Sequence, residues 1–239
     1  MASRWSWLFP VATTFGWAFV AFLIGQIAAL SALVLWSHGD LYRLMAAPYD
    51  GAVVTLSVLV INPVSVAVLV LAARLRSADV VEYLGLVPPR LRMVVIGIIG
   101  ILVIIALTDA LLFASGRAIV SPFQSISYQT AAAEGLLPLM WFATVVVAPA
   151  GEEIMFRGFL FRGFVRSQRV AWPAIVGISL LWTLLHVQYD WTGMSEIFVA
   201  GMFLGWIRYK SGSTLLTIVL HGLFNLEGMI ETMLQLNHF

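Results

Sequence analysis

Seven stretches of this chain are apolar, most of them close to the roughly 20 residues needed to cross a hydrocarbon core. They run over residues 14–36, 51–73, 93–114, 136–161, 172–186, 195–207 and 213–233. Inside lipid every backbone N–H and C=O must find its partner within the protein, so segments of this kind fold as helices. The expected fold is all-α, a polytopic transmembrane bundle of about seven spans. The fifth and sixth stretches are short, which calls for a tilted or deeply packed helix, or one longer than hydropathy reveals. An eighth span would arise if the fourth stretch split at Pro149.

Composition agrees with this reading and excludes several functions. Of 239 residues, 61% are hydrophobic and 10% charged, and the mean hydropathy is +0.97, whereas a soluble domain has about 25% charged residues. The net charge is only +1, and the basic residues lie scattered between spans, so nucleic acid is excluded as a partner. The chain has no cysteine, which rules out disulfides, thiolate metal clusters and a cysteine nucleophile. The opening MASRWSWLFP lacks a small-residue cleavage site after a short apolar region and reads as the start of a retained first span.

Orientation follows from the positive-inside rule. With the N-terminus in the cytoplasm, the inner side receives Arg4, Arg74, Arg76, Arg90, Arg92, Arg157, Arg162, Arg166, Arg169, Arg208 and Lys210, and only Arg43 and Arg117 fall outside. Seven passes then leave the C-terminus outside. The connection 74–92 holds four arginines with Pro88 and Pro89. It divides an N-terminal helical pair with its basic cytoplasmic connection, residues 1–92, from a core of residues 93–239. Gly201 and Gly205 have GxxxG spacing, read as ordinary helix packing.

Ionisable side chains within a bilayer cost at least about 2.5–3.5 kcal/mol each at mid-depth, so their default meaning is functional. Here they gather in the second half of the chain. Glu153 and Arg157 are four apart and share a helix face, where carboxylate and guanidinium shield each other from lipid. Glu152 points about 100° away and is free to face a cavity, where a desolvated carboxylate is suited to act as a general base. His221 and Asn225 stand one turn apart on a single face. Trp182 precedes His186 by one turn and can pack beneath its ring. Neither histidine belongs to an H-E-x-x-H zinc motif. Each group alone has a plain structural reading as a tether or interhelical hydrogen bond. Gathered on three apolar segments, they point to a site.

The ordered set E-E-x-x-x-R, aromatic-x-x-x-H, H-x-x-x-N resembles the CAAX-protease and bacteriocin-processing family, also called the abortive-infection family of intramembrane glutamate proteases. The matching residues are Glu152, Glu153 and Arg157, continued by Phe156-Arg157-Gly158; then Trp182 and His186; then His221 and Asn225. The second motif usually begins with phenylalanine, and here the aromatic is Trp182. The resemblance covers roughly the C-terminal third of the chain. It implies helices enclosing a polar cavity within the membrane, and an endopeptidase that hydrolyses a peptide bond with an activated water. Glu152 with His186 would activate the water, His221 with Asn225 would stabilise the oxyanion, and Glu153 with Arg157 would hold the site in shape.

The implied partners are membrane lipids and a membrane-tethered protein or peptide substrate, in a bacterial or archaeal cell membrane. No cofactor is expected; zinc on Glu152, His186 and His221 ranks below metal-free catalysis. Two other functions compete, a non-catalytic membrane binding or immunity protein and a small proton-linked transporter. The second lacks a detectable inverted repeat. Simple alternation of spans places Glu152 towards the inner half and His186 near the outer end. For the two to meet, the fifth helix must run on into residues 187–191 or sit deeper than hydropathy suggests.

Overall fold

The computed structural model describes residues 11–40, 49–75 and 79–237. Arg4, Arg43 and Arg76 of the orientation argument, and the N-terminal ten residues, lie outside them. The described residues are helical, without strands. We number the helices α1 (Val11–Trp36), α2 (Gly51–Leu75), α3 (Val80–Leu84), α4 (Leu91–Ala114), α5 (Pro122–Ala133), α6 (Leu137–Phe164), α7 (Gln168–Leu184), α8 (Trp191–Ser211) and α9 (Thr214–Asn237).

Four of these, α1, α2, α4 and α6, are long and apolar enough to cross a membrane, and the chain is an integral membrane protein. Their outward faces carry Phe19, Ile27, Leu30, Leu102, Leu107 and Phe113, all exposed, as lipid-facing positions require. The last three expected spans form helices but fall short of the same standard. α7 has only 17 residues, α8 carries Glu196, Arg208 and Lys210, and α9 carries Glu227 and Glu231. The fourth segment stays one helix through Pro149 rather than splitting there.

Hydropathy gave no hint of α5, but side-chain chemistry encodes it. Ser121 and Gln124 form a reciprocal capping box, with Gln124 N–H donating to Ser121 Oγ at 3.2 Å and Ser121 N–H to Gln124 Oε1 at 2.9 Å. Pro122 occupies the first turn, where a missing N–H costs nothing. α5 is fastened to the start of α2 by Gly51 N–H donating to Thr130 Oγ1 (2.7 Å) and Ser127 Oγ–H to the Tyr49 carbonyl (2.8 Å).

One apolar core joins both sides of the 74–92 connection. Ala18, Ala21, Leu69 and Ala72 from α1 and α2 meet Tyr83 and Leu84 of α3, Phe156 and Phe159 of α6, Ile178 and Trp182 of α7, and Ile197 of α8. Around α3, residues of three of the basic segments pack against one another. Arg208 Nε donates to the Arg157 carbonyl at 2.9 Å, and Arg162 lies 3.9 Å from Glu82. Gly85, with φ +67°, closes α3 in the left-handed region against the Arg208 guanidinium. Here α9 is hung in register: Ser213 Oγ–H donates to the Val87 carbonyl and Thr214 Oγ1–H to the Leu84 carbonyl, both at 2.5 Å. That anchoring fixes the height of His221, two turns further on.

α6 is not a plain α-helix. Residues Ala143–Val147 and Ile154–Leu160 are π-helical and flank the α-helical turn Ala148–Glu153. Wide turns of this kind redirect side chains and loosen backbone carbonyls. The small residues beside them allow close approach: a Cβ on Gly151 would run into Asn62 of α2. Gly201 and Gly205 pack α8 against α7, where a Cβ would meet Trp182 and Ile175 respectively, in keeping with the packing role read from their spacing.

Candidate functional site

The doubled glutamate divides its labour as helix geometry requires. Glu153 is fully buried and its Oε1 accepts from Arg157 Nη1 at 2.8 Å, with Arg157 also fully buried. The same oxygen accepts from His221 Nδ1 at 3.1 Å. Arg157 uses its other Nη to donate to the Gly201 carbonyl at 3.1 Å, and its guanidinium lies 4.5 Å from the centre of the Trp182 ring. Three helices are thus joined around one buried carboxylate.

Glu152 turns the other way, into a cleft of about 640 Å³ that is also lined by Trp182, His186, His221 and Asn225. A second cleft of about 400 Å³, lined by Phe22, Val54, Ile61 and Met155 among others, reaches the same Glu152, Trp182 and His186 from the side of α1 and α2. Glu152 is not loose within this space. Its Oε2 accepts from the Trp182 indole N–H at 2.6 Å and lies 4.0 Å from His186 Nε2, with the two side chains 25% and 19% exposed.

The expected meeting of Glu152 and His186 occurs, though not by a longer helix. α7 ends at Leu184, and His186 sits in the turn that follows. There its N–H donates to the Thr183 carbonyl at 2.9 Å, and its Nδ1 lies 2.8 Å from the Trp182 carbonyl. A carbonyl only accepts, so His186 Nδ1 bears the proton, and in the neutral ring Nε2 presents a lone pair towards Glu152. The same reasoning puts a proton on His221 Nδ1, facing Glu153, and leaves its Nε2 as the remaining ring nitrogen. Trp182 stands between the two imidazoles, edge to face with each, at 5.1 Å from both ring centres.

Asn225 lines the cleft as expected, but one of its N–H groups is already engaged. Asn225 Nδ2 donates to the Thr144 carbonyl at 2.8 Å, within the first π-helical stretch. Its second N–H is the one left to offer a ligand.

The sequence analysis assigns no role to four further carboxylates on the wall of this cleft, Asp109, Glu196, Glu227 and Glu231. Asp109, Glu227 and Glu231 bring three ligand oxygens within 4.8 Å of one another. The i, i+4 spacing of Glu227 and Glu231 on the helix of His221 was the available signal. Across the mouth, Arg117 pairs with Asp190 at 2.5 Å, and Asp190 caps α8 by accepting from Thr192 and Gly193 N–H.

Fold and site together define a helical membrane protein in which a cleft-facing carboxylate and two imidazoles surround a buried glutamate–arginine pair. Residues 134–226 match a family model described as type II CAAX prenyl endopeptidase Rce1-like, in agreement with the resemblance drawn from the motifs. The matched segment contains all six predicted site residues. An uncharacterized 24.3 kDa protein of Escherichia coli is 34% identical over 80 residues, 32% of this chain and 36% of that protein. UPF0177 protein YbdI of Lactococcus lactis subsp. lactis is 34% identical over 97 residues, 38% of this chain and 49% of that relative. The chain therefore spans between a third and a half of the length of these curated relatives. No solved structure matches.

Proposed function

We propose that the protein is an intramembrane endopeptidase of the glutamate type, acting on a membrane-tethered protein or peptide. The observation that carries this reading is the pair of acceptors facing one space: the Glu152 carboxylate and the Nε2 lone pair of His186, 4.0 Å apart. A water donating one hydrogen to each would turn its own lone pair outward, towards a substrate carbonyl. Glu152 takes the water proton as the oxygen bonds to the carbonyl carbon. The resulting oxyanion is met by the second N–H of Asn225 and by His221 Nε2, which donates when the ring is an imidazolium. Collapse of the tetrahedral intermediate breaks the C–N bond, and the proton held on Glu152 passes to the leaving nitrogen. Glu153 and Arg157 hold His221 and α8 in place throughout. No covalent intermediate forms, and no metal takes part.

The same proposal places seven spans in a bacterial or archaeal membrane, with the N-terminus cytoplasmic and the polar cleft enclosed among the helices. It is tested by incubating purified protein with candidate lipid-anchored and transmembrane peptides and comparing wild type, Glu152→Ala and His221→Ala by mass spectrometry. Fragments made by wild type alone support the assignment. Identical fragments from all three discard it, and an intact biological effect with Glu152→Ala would favour a non-catalytic binding role.

A further inference from the structure

Trp182 touches Glu152, both histidines and Arg157, through its indole and through its backbone carbonyl. Its indole N–H donates to Glu152 Oε2 at 2.6 Å, while its carbonyl accepts from His186 Nδ1 at 2.8 Å. Its ring lies 5.1 Å from both imidazoles and 4.5 Å from the Arg157 guanidinium. Trp182 is 2% exposed. A Cβ on Gly201 would come within 3.0 Å of its Cε3, so the six-membered ring fits because position 201 is glycine.

These contacts differ in what they ask of the residue. The edge-to-face packing and the carbonyl bond require only an aromatic ring on a helix, which phenylalanine would supply. The bond to Glu152 requires an indole, because phenylalanine has no donor. Glu152 is partly exposed on a cleft wall, and an unanchored carboxylate there would sample several rotamers at little cost.

We propose that Trp182 is a positioning residue of this site, whose indole N–H holds the Glu152 carboxylate in the rotamer that faces His186. The proposal rests on the endopeptidase reading for its kinetic consequence, but the contact itself can be tested without any substrate. In wild-type protein with 15N-labelled tryptophan, the indole resonance that disappears in Trp182→Phe identifies Trp182. Glu152→Ala should move that resonance, since it removes the acceptor. A resonance that stays in place overturns the contact, whether or not the protein cleaves peptides.

The kinetic arm uses Trp182→Phe and a site-specific exchange of Trp182 for benzothienylalanine, which keeps the two-ring shape and replaces N–H by sulfur. Losing a hydrogen bond to a charged group should lower kcat about 10- to 100-fold. KM should stay within about twofold, as expected for an interaction that serves the reacting groups rather than substrate binding. Exchange for 5-fluorotryptophan, which retains the donor, should restore kcat. A benzothienylalanine protein with wild-type kcat would reduce Trp182 to a packing residue and overturn the proposal. If wild type cleaves nothing, the endopeptidase reading fails, and the resonance experiment still decides the contact.

Discussion

Replacing Arg157 by methionine tests how the site is held together. Arg157 and Glu153 are both fully buried and 2.8 Å apart. Removing the guanidinium leaves the carboxylate with the His221 Nδ1–H at 3.1 Å as a hydrogen-bond donor and no arginine beside it. It also removes the bond to the Gly201 carbonyl and the face contact with Trp182. Breaking one member of a buried pair typically costs about 3–5 kcal/mol, most of it the penalty of an uncompensated charge. That is a large fraction of the stability of a folded chain, about 5–15 kcal/mol. The double variant Glu153→Leu/Arg157→Met removes both charges and should recover at least about 2 kcal/mol relative to Arg157→Met alone. Denaturant unfolding in mild detergent, followed through the nine tryptophans, provides the assay. A loss below about 1 kcal/mol for Arg157→Met, or a double variant equal to the sum of the two single losses, would mean that the buried pair does not hold the site together.

Three further outcomes follow from other parts of the structure. Gly151→Val should destabilise by about 1–3 kcal/mol, because its side chain meets Asn62; Asn62→Ala in the same chain should recover part of the loss in the same unfolding assay. Asp190 is held below the ordinary carboxylate range by the Gly193 N–H, with Arg117 adding to the effect. Its stabilisation is therefore fully present above the unfolded value of about 3.9 and is lost as pH falls through the lower folded value. Asp190→Ala should lower stability by about 1 kcal/mol at neutral pH through the lost helix cap, and unfolding curves of variant and wild type should converge in acid. Peptide cleavage should survive prolonged dialysis against a chelator; abolition restored by zinc would move the chemistry to a metal.

What could be read from the sequence was what local periodicity encodes. The four-residue spacing of Glu153 and Arg157, the 100° offset of Glu152 and the shared face of His221 and Asn225 all follow from 3.6 residues per turn, and the structure places them accordingly. Helix α5 was hidden from hydropathy although Ser121-Pro122-Phe123-Gln124 spells a capping box. The π-helical turns of α6 have no sequence signature, so the loss of one Asn225 donor to Thr144 could not be foreseen. Apolar windows do not register a turn, so the break after Leu184 that puts His186 outside the helix is invisible to hydropathy. The indole bond to Glu152 has no signature in spacing: the one-turn separation of Trp182 and His186 indicates a platform for the histidine ring, whereas the partner of the indole N–H is set by the packing of α7 against α6. The acidic wall of Asp109, Glu196, Glu227 and Glu231 needed tertiary packing of α4, α8 and α9 to exist at all.

The proposed reaction begins when the Glu152 carboxylate removes a proton from water in the cleft. Its most direct test is the single-turnover rate of cleavage of one tethered peptide by reconstituted wild type and by Glu152→Gln, which keeps the shape and the acceptor for Trp182 but is not a base. The Glu152→Gln rate should be lower by about 10²–10⁴-fold with substrate binding retained. A Glu152→Gln rate within a few-fold of wild type would contradict it.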